Sequence, residues 1–176
     1  MLALYKECIS QQMNAPKDAV ALATFLGGQS SAPSFITESK TRSSLQSNFA
    51  SRVSADFLTD DVIAAYKSLL GESWVQATIG AWASSAMTAA IRSFEYTNVQ
   101  SINKRFGTYL SAPAKQQYDA LIRAESFVEH GKREEAAALV DEDTVVKLEA
   151  LIADRREKAR IEEARRRAQA AEAARR

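Results

Sequence analysis

From Asp143 to Arg176 the chain reads as one helix whose apolar face stops before the helix does. Val145, Leu148, Leu151 and Ile152 recur at helical spacing and form a stripe that needs a core to cover it. Ile161 is the last large apolar residue, and Glu162–Arg176 contains only Ala, Glu, Arg and one Gln. Those residue types keep a helix by intrinsic propensity, but they offer nothing to bury against their own domain. The sequence therefore predicts a body, 1–142, and a long charged helix, 143–176, that projects from it.

The body is expected to be all-α. Only 6 Gly and 3 Pro occur in 176 residues, Ala is abundant, and no stretch alternates β-branched with polar residues. A hydrophobic fraction of 46% is that of a globular protein. Periodicity and breakers divide the chain into about seven or eight helices in a compact multi-helix domain with the long C-terminal helix projecting from it. Amphipathic segments cover 2–13 and 17–26, and Gly27-Gly28 opens a loop over 27–36. Thr37 is placed to cap a helix in which Leu45, Phe49 and Val53 share a face. Thr59-Asp60-Asp61 starts the next one, which Gly71 ends. Further helices begin at Asn98 and near Pro113, the second ending at Gly131, and a short one covers Arg133–Val140.

The run 73–91 carries no charge and is bracketed by Glu72 and Arg92. Its length raises a membrane span, but it is rich in Ala and Ser rather than Leu or Ile, and it holds Gln76. The expectation is a central helix surrounded by the others. Gly80 and Ser84 would permit close helix approach, with Trp74 and Trp82 packing from similar faces; this makes Trp74, Gly80, Trp82 and Ser84 a candidate buried helix interface.

No chemistry is specified. The acidic clusters Asp60-Asp61 and Asp141-Glu142-Asp143 lack the spacing of a calcium loop and stand where helix N-termini favour negative charge. His130 precedes Gly131 at a helix end, and Cys8 falls on an apolar face. One Cys and one His exclude an intramolecular disulfide and a Cys/His zinc site. Arg92, Glu95, Tyr96, Lys104 and Arg105 form the densest mixed-charge group, with no spacing that names a reaction. The expectation is no catalytic site, no cofactor and no metal, hence not an enzyme.

Charge separates the two parts. Residues 154–176 hold nine Lys/Arg and five Asp/Glu, net +4, while 1–153 hold fourteen and seventeen, net −3. Acid-to-base pairs at i,i+4 (Asp154–Lys158, Glu162–Arg166, Glu163–Arg167, Glu172–Arg176) make the tail a self-supporting helix. Arg155, Arg156, Arg160, Arg165, Arg166 and Arg167 are the candidate partner-binding residues. A heptad seam continued from Ile152 would fall on Arg155, Ala159 and Glu162, which argues against a strong autonomous coiled coil. The N-terminus has no apolar h-region and no Arg in its first forty residues, which argues against a secretory signal and a typical presequence.

Leu121–Val140 (LIRAESFVEHGKREEAAALV) resembles a single tetratricopeptide hairpin turning at Gly131, without a second copy along the chain. Together with the helix that reaches Ala164–Arg167, about fifty residues in all, it is similar to the C-terminal domain of the mitofilin family. The aromatic-rich connection of that family is replaced here by Asp141-Glu142-Asp143. The resemblance implies an organellar, membrane-associated assembly. The combined expectation is an intracellular, non-catalytic subunit, mitochondrial or close to a membrane, that docks onto other protein subunits through its last helix. The alternative is a nucleic-acid-associated protein whose Arg-rich tail contacts phosphates, which the interleaved Glu residues disfavour.

Overall fold

The computed structural model describes residues 39–173, with side chains from residue 42 onward. The expected helices at 2–13 and 17–26, Cys8, the 27–36 loop and the Thr37 cap lie outside the described residues. Among the described residues there are seven α-helices and no strand: α1 Ser39–Arg52, α2 Asp60–Leu70, α3 Glu72–Arg92, α4 Tyr96–Phe106, α5 Ala112–Glu129, α6 Arg133–Ala137 and α7 Glu142–Ala173. A 3-10 turn, Gly107–Tyr109, follows α4.

Local chemistry sets most boundaries. Thr59 caps α2 by accepting the Val62 N–H at 3.3 Å, with Asp60 and Asp61 in the first turn. Gly71 ends α2 at φ 91°, and the carbonyl of Leu70, freed at the helix end, accepts a hydrogen bond from Arg42 of α1 at 2.7 Å. At the end of α5, Lys132 N–H reaches Phe127 O and Gly131 N–H reaches Val128 O, with Gly131 at φ 73°. That pair of bonds is a Schellman closure, and it turns the chain into α6.

Two apolar clusters form the core, and α3 belongs to both. Leu45 and Phe49 of α1, Val62, Tyr66 and Leu70 of α2, Val75 and Ile79 of α3 and Phe106 of α4 make the first. Met87 and Ala90 of α3, Val99 and Ile102 of α4, Leu121 and Ala124 of α5, and Val145 and Leu148 of α7 make the second. Thus α3 is central, but it is not surrounded. Val75, Ile79, Ala83, Met87 and Ala90 are buried, whereas Ala77, Ala81, Ser85 and Ala89 are exposed. The run lacks charge because small neutral side chains suffice on its open face, not because every face is covered. No helix among the described residues is long and apolar enough to cross a membrane.

Tyr66 is fully buried in the first cluster, and burial pushes its phenol up to about 12, partly opposed by the neighbouring Arg52. A raised folded-state pKa means that its contribution to stability is complete below the unfolded phenol pKa, near 10. The contribution is lost as pH climbs from there towards about 12. The melting temperature is expected to hold steady up to about pH 9.5 and then fall, with a shallower fall in Tyr66→Phe. Equal slopes in the two proteins would remove Tyr66 as the cause.

Candidate interaction surfaces

The root of α7 is built into the body. Asp141 caps it by accepting the Thr144 N–H at 2.8 Å, which holds the Asp141 carboxyl below its ordinary value. Arg133 of α6 bridges to Glu142 and Glu149, about two turns apart on α7. Val145 and Leu148 then join the second cluster, and Ile152 one turn on is also buried. The last anchor is polar. Glu125 of α5 accepts from the Tyr96 hydroxyl and from Arg155, and the Arg155 guanidinium lies over the Tyr96 ring, 5.0 Å from its centre. Burial, then the hydrogen bond to Glu125, raises the Tyr96 phenol well above its ordinary value, so it stays a donor. Arg156 adds a bond to the Glu129 carbonyl at the end of α5, 2.8 Å.

Beyond that point the helix leaves the body: every residue from Glu157 to Ala173 is exposed. Its charges pair along the helix, Lys158 with Asp154, Arg160 with Glu157, Arg166 with Glu162 and Arg167 with Glu163. The Arg176 of the fourth expected pair lies outside the described residues. Among the described residues, Arg165 has no carboxylate partner.

The six arginines singled out in the sequence therefore divide. Arg155 and Arg156 fasten the helix root to α5, while Arg160, Arg165, Arg166 and Arg167 lie on the free arm. Of the second group, Trp82 stacks edge-on against Phe106, with ring centres 5.1 Å apart, and Trp74 meets Phe49 at 5.9 Å. Both are half-buried against the first cluster. Ser84 accepts the Ser111 N–H at 2.9 Å, and Gly80 faces the backbone of Tyr109. These four residues hold the body together and present no common opening.

The mixed-charge group does not assemble. Arg105 donates to the carbonyls of Ala55 and Leu58 at 2.9 and 3.0 Å, fastening the α1–α2 connection. Glu95 accepts from Asn98, and Tyr96 turns to Glu125. The His130 Nδ1–H donates to the Ser126 carbonyl at 2.7 Å. Among the described residues no three His, Cys, Asp or Glu side chains converge as a metal site would require. Open grooves lie beside Thr88, Arg92 and Pro113, and beside Lys104, Lys115 and Tyr118.

Two structural features escaped the sequence reading. Glu125 occupies a core-stripe position with Leu121, Ala124 and Val128, so a carboxylate at that spacing was a signal of a buried polar partner. The outward face of α7 gave no signal until its inward face was known. Comparison of the chain with protein-family models, with curated proteins and with solved structures finds no match.

Proposed function

We propose that this protein is a non-catalytic structural subunit that docks onto a larger protein assembly through the exposed arm of α7. One observation carries the reading: the arm is a continuous helix with every residue from Glu157 to Ala173 exposed. At 1.5 Å per residue it extends about 25 Å beyond the root, whose last anchors are Arg155 and Arg156. Nothing in it covers the core, so the body gains no stability from its length. Its root, in contrast, is fixed by a buried apolar seam, a cap and two arginine anchors, an arrangement suited to holding a contact surface at a set angle. We propose a mitochondrial or membrane-adjacent setting for such an assembly, a reading supported by the hairpin resemblance.

The nucleic-acid alternative is disfavoured because Arg160, Arg166 and Arg167 are each paired with a Glu of the same helix. The test is size-exclusion analysis of the tagged full chain in extracts of its native source, alongside the same chain with Ala164→Pro and Ala168→Pro. Proline inside a helix costs about 3 kcal/mol locally and breaks the arm without touching the body. The wild type is expected to elute within a complex and the proline variant alone, with equal body melting temperatures. Wild-type elution as a free monomer overturns the proposal. Nuclease-sensitive elution with a steep salt dependence replaces it with the nucleic-acid reading.

A further inference from the structure

The arm has two faces of different character. Among the described residues the exposed large apolar side chains are Val146, 49% exposed, and Ile161, 58% exposed. Both fall on one stripe of α7: Val146, Ala150, Ala153, Glu157, Ile161, Ala164, Ala168 and Ala171, all exposed and separated by three or four residues. With 3.6 residues per turn, this stripe points about 140° away from the buried seam of Val145, Leu148 and Ile152. It is a second seam in a new register, interrupted only by Glu157. Alanine at its centre lets another helix approach at the short end of the usual 8–10 Å interaxial range.

The borders of this stripe say what would cover it. Between Ile161 and Ala168 the residues flanking it are Arg160, Arg165 and Arg167; Glu162 and Glu163 lie further round the helix, and Glu172 borders the stripe only beyond Ala168. Arg165 has no carboxylate partner among the described residues. A second copy paired across Ala164 would set Arg165 and Arg167 against the same arginines, a like-charge arrangement. Resting on the docking reading above, we infer that the Ile161–Ala168 stripe receives an amphipathic helix of a different protein whose small apolar seam is bordered by Asp or Glu. Helix pairing of this kind takes its energy from the seam and its partner choice from the bordering charges.

The test uses the full chain and two synthetic amphipathic helical peptides with the same Ala/Leu seam, one bordered by Glu and one by Lys, titrated by fluorescence anisotropy. The Glu-bordered peptide is expected to bind at least about ten-fold more tightly. Ala164→Glu/Ala168→Glu, which keeps good helix formers, is expected to lose that binding by a similar factor at unchanged helicity. The opposite-face swap Glu162→Lys/Arg166→Glu is expected to retain it. Equal binding of the two peptides, no binding of either, or loss on the swap with retention in the stripe variant overturns the inference. So does sedimentation of the wild type as a dimer that the stripe variant dissociates, which makes a second copy the occupant. A stripe variant that stays in the native complex while the proline variant leaves it defeats this inference alone; if neither leaves, the docking reading falls with it.

Discussion

Phe49→Ala is expected to destabilise the protein by about 3–5 kcal/mol, a large part of the roughly 5–15 kcal/mol that holds a domain together. Phe49 is fully buried, and three rings surround it: Tyr66 with centres 4.4 Å apart, Trp74 at 5.9 Å and Phe57 at 6.1 Å. Those rings belong to α2, α3 and the α1–α2 connection, so one side chain closes three interfaces. Truncation leaves a cavity that four different segments would have to shift to fill, and rings fixed by mutual packing cannot collapse far. The damage is not expected to stay local. Because α3 carries Val75 and Ile79 into the first cluster and Met87 and Ala90 into the second, the clusters share a backbone and should unfold together. Urea unfolding followed by fluorescence of Trp74 and Trp82 and by far-ultraviolet circular dichroism is expected to give one midpoint, shifted downward in the variant. A second, unshifted transition in the dichroism signal would show that the clusters fold independently.

What could be read in advance follows from how local the determining interaction is. The all-α architecture, the cap at Thr59, the stops at Gly71 and Gly131 and the long last helix depend on spacing within one or two turns, and each is visible in the chain. The ion pairs Asp154–Lys158, Glu162–Arg166 and Glu163–Arg167 follow from i,i+4 spacing in the same way. Arg105 is different: its acceptors are backbone carbonyls 47 and 50 residues away, and carbonyls have no sequence signature. Arg155 looked like a tail residue because the end of the body is set by α5, through Glu125, and not by α7 itself. The open face of α3 was hidden for a related reason, since Ala and Ser suit burial and exposure alike. The second seam of α7 was the hardest to see. Continuing the first register from Ile152 leads to Arg155, Ala159 and Glu162, and only the burial of the inward face reveals that the apolar pattern has moved round the helix.

Gly80→Val is expected to cost about 3 kcal/mol and to lower the melting temperature by roughly 10 °C. A Cβ at Gly80 would stand 2.7 Å from the Tyr109 carbonyl oxygen, closer than carbon and oxygen pack. The obstacle is backbone, so no side-chain rotation relieves it. Nor is that backbone free to retreat. One turn further along α3, Ser84 binds the Ser111 N–H at 2.9 Å, fixing the segment that follows the 3-10 turn. On its near side, Arg105 fastens the end of α4 to the α1–α2 connection. Gly80→Ala separates the steric argument from helix propensity. In an open helix the change would stabilise by about 1 kcal/mol. Here the methyl group meets the same oxygen, and a net loss of about 1–2 kcal/mol is expected. A gain in melting temperature for the alanine variant would mean that the turn can yield. The glycine would then be an accident of composition and not the reason α3 and the 3-10 turn approach so closely.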